Sequence, residues 1–300
     1  MTSDILVKNT RYSVLKHYIE ICKPRVVMLM ILTSFVGMCL ASPHLPSAWV
    51  LICGNLGIAL SASAAAIINH LADYRIDRLM RRTQQRPVAK GNVSVFEAMV
   101  FSTVLASLGL SLLYFAINPL TAVLTFFSVI GYAGVYTFYL KHNTDQNIVI
   151  GGLAGAAPPL LGWVAVTGHI HPMGLVLVAI IFFWTPPHFW ALAIDRVDEY
   201  KKTGLPMMPI TRGITYTKRS MLFYMLLLTV TTLIPVLMQW CHLIYLVGVL
   251  YLNIWFARSI WLLSRDPKNL RAMKVFKDSI SYLMLLFVVL LLDHYVPLLF

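Results

Sequence analysis

The sequence predicts an all-α fold: a polytopic membrane protein with nine transmembrane helices around a central cavity, in one membrane-embedded domain over residues 1–300. Three observations predict it. Of the 300 residues, 59% are hydrophobic and only 12% are charged, and the mean hydropathy of +0.75 excludes an ordinary soluble globular protein. Nine apolar stretches approach the roughly 20 residues that span a bilayer. Lys and Arg, finally, occur only in alternate loops.

Each predicted span is an apolar run between polar residues. Gly or Pro interrupts several of them, which membrane helices tolerate because neighbouring helices satisfy the freed backbone groups. In chain order the predicted spans cover residues 26–42, 49–68, 95–117, 120–140, 148–167, 173–194, 220–239, 242–263 and 280–299. No segment between them is long enough to form a soluble domain.

The distribution of positive charge predicts the orientation. All 24 Lys and Arg residues lie in the N-terminal segment and around the loops after the second, fourth, sixth and eighth spans. The positive-inside rule therefore places the N-terminus in the cytoplasm and the C-terminus in the periplasm. The first 25 residues contain Asp4 and Glu20 and lack a signal-peptide core, so we expect a multi-pass protein of a bacterial cell inner membrane. The net charge of +12 follows from this topology and suits a membrane surface with anionic headgroups. It does not indicate nucleic-acid binding, because the sequence predicts no soluble basic domain.

A polar motif follows the second predicted span. Asn69, Asp73 and Asp77 are spaced i, i+4, i+8, so a helix would stack them along one face. Carboxylate and amide oxygens are ligands that Mg²⁺ accepts. Six basic residues follow by position 90: Arg75, Arg78, Arg81, Arg82, Arg86 and Lys90. Acids that hold a metal beside cations that hold phosphate predict a diphosphate site at a membrane surface; the alternative is a solvated, salt-bridged helix end.

A second acidic cluster follows the sixth predicted span. Asp195 and Glu199 are spaced i, i+4 and could share a helical face, with Asp198 adjacent. Two facing clusters could hold two Mg²⁺ ions across one diphosphate. The alternative is ordinary ion pairing with Lys201 and Lys202.

Several blocks of this sequence resemble one family. The pattern Asn69-x3-Asp73-x3-Asp77-Arg78-x3-Arg82-Thr83-x2-Arg86-Pro87 resembles the first signature of the UbiA-type intramembrane prenyltransferases. Four further blocks are similar to the protohaem IX farnesyltransferase branch of that family, at residues 23–25, 136–141, 147–163 and 184–209. One departure is the second motif: where the family is usually aspartate-rich, this chain has Asp195, Asp198 and Glu199.

The resemblance implies a UbiA-like fold and a reaction. Farnesyl diphosphate would bind as its Mg²⁺ complex and ionise to an allylic cation. A vinyl group of haem B would attack this cation, and water would add to give haem O for terminal oxidases. The implied cofactor is Mg²⁺, and the implied partners are haem B, farnesyl diphosphate and the lipid bilayer, with haem A synthase or a terminal-oxidase assembly as protein partners.

The predicted site residues form three overlapping groups. The catalytic group contains Asn69, Asp73, Asp77, Arg82 and Lys141. The substrate-binding group contains Arg78, Arg86, Lys90, Tyr136, His188, Asp198, Glu199 and Tyr200. The metal ligands are Asn69, Asp73, Asp77, Asp195, Asp198 and Glu199.

Several alternatives remain open at this level. His188 either contacts haem or hydrogen-bonds backbone groups freed by Pro186 and Pro187. Aromatic residues near the motifs either stabilise a carbocation or simply pack; they are Tyr132, Tyr136, Tyr139, Phe183, Trp184 and Trp190. The acceptor could instead be an aromatic acid such as a hydroxybenzoate or a naphthoate. A transporter would use Asp73 and Asp77 as ion sites, although such sites usually lie near mid-membrane.

Overall fold

The computed structural model describes residues 14–78 and 83–296, and within these residues the chain is helical and contains no strand. Eight helices are long and apolar enough to cross a membrane. Helices α1 (Val14–Ile21) and α2 (Pro24–Leu40) follow each other with a bend of 50°, and they make a ninth span when the bent pair is counted as one. The multi-pass helical architecture predicted from the sequence is therefore confirmed.

The remaining helices follow in chain order. They are α3 (Ala48–Asp77), α4 (Pro87–Lys90), α5 (Val95–Ala116), α6 (Pro119–Val129), a π-helix (Ile130–Leu140), α7 (Lys141–Asn143), α8 (Asn147–Ala156), α9 (Pro158–Thr167), α10 (Pro172–Asp195), α11 (Val197–Lys201), α12 (Met208–Thr211), α13 (Ile214–Leu237), α14 (Leu243–Ser264) and α15 (Ala272–Tyr295). Two spans combine consecutive pieces, Pro119–Asn143 and Asn147–Thr167.

Helix α3 is longer than the sequence predicts. Its 30 residues extend about 45 Å at 1.5 Å per residue, whereas the hydrocarbon core is about 30 Å thick. The predicted span ended at residue 68, but no Gly or Pro interrupts the chain between there and Asp77, so the helix continues. The apolar span and the polar motif are thus one rigid element.

Close approach of two helices near the first span depends on glycine. A Cβ atom on Gly37 of α2 would lie 2.1 Å from the carbonyl oxygen of Pro159 in α9. A Cβ atom on Gly162 of α9 would lie 2.1 Å from the carbonyl oxygen of Ser34 in α2. These reciprocal contacts leave no room for a larger residue, as in other small-residue packings of membrane helices.

A large apolar core lies among α10, α13, α14 and α15, with Trp190, Tyr245 and Phe256 fully buried in it. Several polar groups inside this core are paired, although Trp190 Nε1 has no hydrogen-bond partner among the described residues. The Tyr245 hydroxyl donates to the Thr232 carbonyl at 2.8 Å, and Asn253 Nδ2 donates to the Thr232 hydroxyl at 2.9 Å. Such pairing is what a buried polar group needs to avoid a large desolvation cost.

One end of the bundle gathers the charged connections, and we call it the basic end. Two of its loops are held together: Asn147 Nδ2 lies 3.5 Å from the Pro206 carbonyl oxygen, and Arg212 Nε donates to Asp145 Oδ2 at 2.6 Å. The hydrogen bond to Asp145 raises the pKa of Arg212. The connection after the π-helix and the segment that follows the second acidic cluster are therefore held together at this end.

Candidate active site at the basic end

The last turns of α3 carry Asn69, Asp73 and Asp77 in one row, as their spacing predicts. These side chains are buried, since the residues are only 5%, 3% and 4% exposed. A buried carboxylate is unfavourable unless a cation or hydrogen-bond donors compensate its charge. The row is therefore not a solvated helix end, although both of its acids are salt-bridged.

Two members of the row are paired with lysines from other elements. Lys23 precedes α2 with a left-handed backbone, φ 51°, and its Nζ donates to Asn69 Oδ1 at 2.6 Å. Lys141 begins α7, directly after the π-helix, and its Nζ donates to Asp73 Oδ2 at 2.5 Å. A non-glycine residue with positive φ is uncommon and strained, so the position of Lys23 is one that its surroundings enforce.

The third member is paired with an arginine. Arg86 Nη1 lies 2.8 Å from both carboxylate oxygens of Asp77. The Thr83 hydroxyl donates to the Asp77 carbonyl at 3.0 Å and ties the same loop to the end of α3. We call the row and its partners the cation ladder: Asn69, Asp73 and Asp77 with Lys23, Lys141 and Arg86. It brings three cations from three elements to one buried row of oxygens.

The π-helix forms the adjoining wall. Asn69 Nδ2 donates to the Thr137 hydroxyl at 3.4 Å, and Thr137 donates to the Tyr132 carbonyl at 2.8 Å. The rings of Tyr132 and Tyr136 stack with centroids 5.4 Å apart. A Cβ atom on Gly151 of α8 would lie 2.1 Å from Tyr136 Cδ2. The wall thus places stacked aromatic rings beside the ladder, as π-helices often do at functional sites.

The residues of the ladder fit a hard cation. Asp73 Oδ1 is buried and has no hydrogen-bond partner among the described residues, so the structure leaves one carboxylate oxygen uncompensated. Asn69 and Asp77 supply further oxygens, the donor type that Mg²⁺ accepts. No set of three or more His, Cys, Asp or Glu side chains in the described part of the chain is assembled around a metal position, which is consistent with two acids and one amide here.

Two predicted substrate contacts, Arg78 and Lys90, lie outside the ladder. Arg78 Nε donates to the Ala89 carbonyl at 2.9 Å, and its guanidinium lies 5.7 Å from the Tyr74 ring centroid, so Arg78 holds α4 against α3. Lys90 is exposed at the end of α4. Arg82 belongs to residues 79–82, outside the described part of the chain.

The second acidic cluster does not form the helical face that its spacing predicts. Helix α10 ends at Asp195, and Arg196 leaves the helical conformation with φ −113° and ψ 25° before α11 begins. Asp195 and Glu199 therefore belong to different helices, and the prediction of one continuous face is wrong. Because the backbone at Arg196 is not helical, the 3.6-residue period no longer relates the side chains before and after it.

The acids of α11 have local partners. The Asp198 side chain is 87% exposed and pairs with Lys201 at 3.3 Å. Glu199 pairs with Arg196 at 3.7 Å, and its Oε2 atom is buried without a hydrogen-bond partner in the described residues. No hydrogen bond or ion pair between described residues joins these acids to the ladder. Tyr200, next to them, lies within electrostatic range of Tyr136.

His188 of α10 is buried against α15, and the hydrogen bond that its Nδ1 makes is to a side chain of α15 rather than to backbone freed by Pro186 and Pro187. Its Nδ1 lies 2.7 Å from the Ser279 hydroxyl, which itself donates to the Phe276 carbonyl at 2.6 Å. With the Ser279 proton on the Phe276 carbonyl, His188 Nδ1 is the donor and Nε2 is the acceptor. The imidazole also stacks on Trp184 at 4.3 Å and on Phe276 at 4.6 Å.

Sequence reasoning missed two features of this site. In the sequence, Lys23 is one of several positive charges in the N-terminal segment, and only the fold brings it to Asn69, 46 residues away. The π-helix has no composition signal, because its i→i+5 hydrogen bonds depend on tertiary context. The Lys-Pro dipeptide at the start of α2 is the one local signal that marks Lys23 as a helix-entry residue.

The geometry defines a membrane-embedded site in which buried acids and cations adjoin aromatic rings. The family model described as the UbiA prenyltransferase family matches residues 30–291. The chain therefore belongs to the UbiA prenyltransferase family and is an enzyme of prenyl transfer.

Two curated relatives of this chain carry the same name. The chain is 54% identical over 282 residues to a protein of Hahella chejuensis named protoheme IX farnesyltransferase, covering 94% of each chain. It is 55% identical over 280 residues to a protein of Legionella pneumophila with the same name, covering 93% of this chain and 95% of that one.

Solved structures share the fold. A structure described as a digeranylgeranylglyceryl phosphate synthase in membranes superposes with a TM-score of 0.78 at 20% identity, over 94% of this chain and 99% of that one. A UbiA homolog from Archaeoglobus fulgidus bound to DMAPP and Mg²⁺ superposes with a TM-score of 0.66 at 18% identity, over 91% and 98% of the two chains. The predicted UbiA-like fold is thus confirmed.

Proposed function

We propose that this chain transfers the farnesyl group of farnesyl diphosphate to a vinyl group of haem B, with addition of water, to give haem O. The observation that carries the proposal is the cation ladder in a prenyltransferase fold whose curated relatives are named protoheme IX farnesyltransferase. The products are haem O and diphosphate. Haem O would then pass to a haem A synthase or to a terminal oxidase.

The diphosphate end of the donor would bind at the ladder. Lys23, Lys141 and Arg86 already converge there, and each can exchange its carboxylate or amide partner for a phosphate oxygen. That exchange would free the oxygens of Asn69, Asp73 and Asp77 to hold Mg²⁺. The bound ion supplies neutralisation of the leaving diphosphate, which favours ionisation of the allylic carbon–oxygen bond. Asp195, Asp198 and Glu199 are the candidates for a second metal position.

The aromatic wall would stabilise the farnesyl cation. Tyr132 and Tyr136 present stacked π systems beside the ladder, and π faces attract cations most strongly in a desolvated site. Apolar helices around them would hold the farnesyl tail and restrict water until it is needed. Tyr200, which lies near Tyr136, is a candidate to close this side of the site.

The acceptor step forms one carbon–carbon bond and one carbon–oxygen bond, and it consumes one water. The vinyl carbon of haem B would attack the allylic carbon, and the positive charge would move to the vinyl carbon next to the ring. Water would capture that charge and release one proton, which leaves a hydroxyl group. His188 Nε2 is the candidate contact to haem iron, since Nδ1 is committed to Ser279.

The basic end would face the cytoplasm of a bacterial inner membrane, because nearly all its loops carry Lys or Arg. A transporter would more naturally hold its acids near mid-membrane, whereas the ladder lies in the last turns of a helix that exceeds the bilayer core. The site position therefore favours catalysis on a substrate whose diphosphate remains at the surface.

An acceptor panel tests the proposal. Purified full-length protein in lipid nanodiscs would receive Mg²⁺ and farnesyl diphosphate with haem B, a hydroxybenzoate or a dihydroxynaphthoate, and products would be identified by mass spectrometry. We expect that haem B is the only one of the three acceptors to be farnesylated. Prenylation of an aromatic acid but not of haem B would overturn the haem assignment while leaving the prenyl-transfer site intact.

A further inference from the structure

A cavity lies at the basic end, between α14 and α15, and none of the residues that line it belongs to the cation ladder. Its volume is about 340 Å³. Three cationic side chains line it: Arg258 from α14, Arg271 from the connecting loop and Lys274 from α15. Asp278 is the one acid in the lining, so the cavity carries a net charge of about +2 by simple count.

The acid does not neutralise these cations. Asp278 Oδ2 accepts a hydrogen bond from the Ser259 hydroxyl at 2.6 Å, which joins α14 to α15. No ion pair between described residues involves Arg258, Arg271 or Lys274. The positive-inside rule explains cations in this loop but does not require three of them to share one cleft without an acidic partner.

The cleft is built by a structured loop. Asp266 Oδ1 accepts from the Lys268 backbone N–H and Asp266 Oδ2 from the Arg271 backbone N–H, both at 3.0 Å. The buried Lys218 of α13 donates to the Asp266 carbonyl at 2.6 Å and so ties the loop to α13. Arg271 is thereby held beside the first turn of α15, where Lys274 lies.

The depth of the cations matches a lipid headgroup. Arg258 precedes the end of α14 by six residues, about 9 Å along the helix, while Arg271 lies in the connecting loop and Lys274 in the first turn of α15. The half-buried Trp255 lines the cleft on its apolar side, and Tyr251, one turn further, is 69% exposed. Tyr251 lies 13 residues, about 20 Å, before the end of α14, at the level of the hydrocarbon core where acyl chains would run along the helix.

We propose that this cleft binds the phosphate group of an anionic glycerophospholipid, with the acyl chains along α14 and the headgroup among the three cations. Basic pockets between transmembrane helices on the cytoplasmic side recognise such headgroups electrostatically. The ligand stays bound during turnover and is separate from the diphosphate that the ladder would hold.

Native mass spectrometry of the purified full-length protein tests this site. The protein would be offered phosphatidylglycerol or phosphatidylcholine with identical acyl chains. Wild-type protein should retain one phosphatidylglycerol in preference to phosphatidylcholine. Arg258→Gln/Lys274→Gln should weaken that retention about thirtyfold, since each interfacial cation contributes about 1 kcal/mol.

Matched variants and competitors complete the experiment. Arg265→Gln/Lys268→Gln removes two charges from the same loop outside the lining and should retain the lipid, as should the charge-preserving Arg258→Lys/Lys274→Arg. Equal loss in Arg265→Gln/Lys268→Gln, or no preference in wild type, would reject the site. Displacement of the lipid by millimolar inorganic phosphate would show a mere anion site. Displacement by protoporphyrin IX but not by its dimethyl ester would assign the cleft to porphyrin carboxylates, and either result overturns the lipid proposal.

Discussion

Lys141 Nζ lies 2.5 Å from Asp73 Oδ2, and the two residues are 68 positions apart in the chain. Both side chains are largely buried, with relative exposures of 13% and 5%. The pair connects the end of the π-helix to the polar end of α3 and completes the centre of the cation ladder. In such a site a cation can compensate a carboxylate before substrate arrives and a phosphate afterwards.

This double role makes Lys141→Gln informative. We expect kcat/KM for farnesyl diphosphate to fall about a hundredfold, the scale seen when one charge-stabilising donor is removed. Without diphosphate the same variant should bind Mn²⁺ more tightly, because Asp73 loses its competing cation; electron paramagnetic resonance measures this. Arg219→Gln, at an exposed site on α13, should change neither value by more than about twofold.

Folding stability separates this role from simple packing. Removal of one partner of a buried pair costs about 3–5 kcal/mol, because the other charge stays unpaired. Asp73→Asn/Lys141→Gln should therefore melt at a higher temperature than Lys141→Gln and remain inactive. An active double variant would mean that the pair serves only the fold.

The aromatic wall can be displaced by one methyl group. In Gly151→Ala the new Cβ would lie 2.1 Å from the Tyr136 ring, so the ring must move. We expect kcat to fall about tenfold or more, because cation–π stabilisation of about 1–2 kcal/mol is lost when the ring shifts. Gly155→Ala in the same helix meets no atom within 4 Å and is the matched control. Equal kcat in both variants would exclude a role for the Tyr136 position.

The two acids of α11 should differ in importance. Asp198 is 87% exposed and paired on the surface, so Asp198→Asn should change kcat/KM less than about threefold. Glu199 keeps a buried, unpartnered oxygen, and Glu199→Gln should raise the Mg²⁺ concentration needed for half-maximal turnover about tenfold, as for a lost metal-site carboxylate. Activity measured against Mg²⁺ concentration in the two variants tests this difference. A larger effect of Asp198→Asn than of Glu199→Gln would assign the metal role to Asp198 instead.

The Ser279 hydroxyl should control the haem contact through His188. In Ser279→Ala the imidazole loses the acceptor that fixes its Nδ1 proton. We expect haem affinity, measured by visible absorption, to fall about tenfold. This is the lower end of the range found when a group that orients a metal ligand is removed. Ser102→Ala removes a buried hydroxyl from α5 and should leave haem affinity unchanged. Unchanged affinity in Ser279→Ala would argue against iron ligation by His188.

The sequence predicts the local parts of the site better than the contacts between them. The row of Asn69, Asp73 and Asp77 follows from a 3.6-residue period, which is a local property of α3. The pairing of Lys23 with Asn69 requires a left-handed residue between α1 and α2, which nothing near it in the chain dictates. The i, i+4 spacing of Asp195 and Glu199 misleads because the helix breaks at Arg196, and a period holds only while the helix continues.

The most direct test combines substrate and site. Membranes with wild-type protein or with Asp73→Asn would receive haem B, farnesyl diphosphate and Mg²⁺ in water that carries the heavy oxygen isotope, and haem products would be weighed by mass spectrometry. We predict that wild type yields a haem heavier by one farnesyl group and one labelled water, and that Asp73→Asn yields none while remaining folded in the membrane. An equal yield from Asp73→Asn, or a farnesylated haem without labelled oxygen, would contradict the proposed chemistry at the cation ladder.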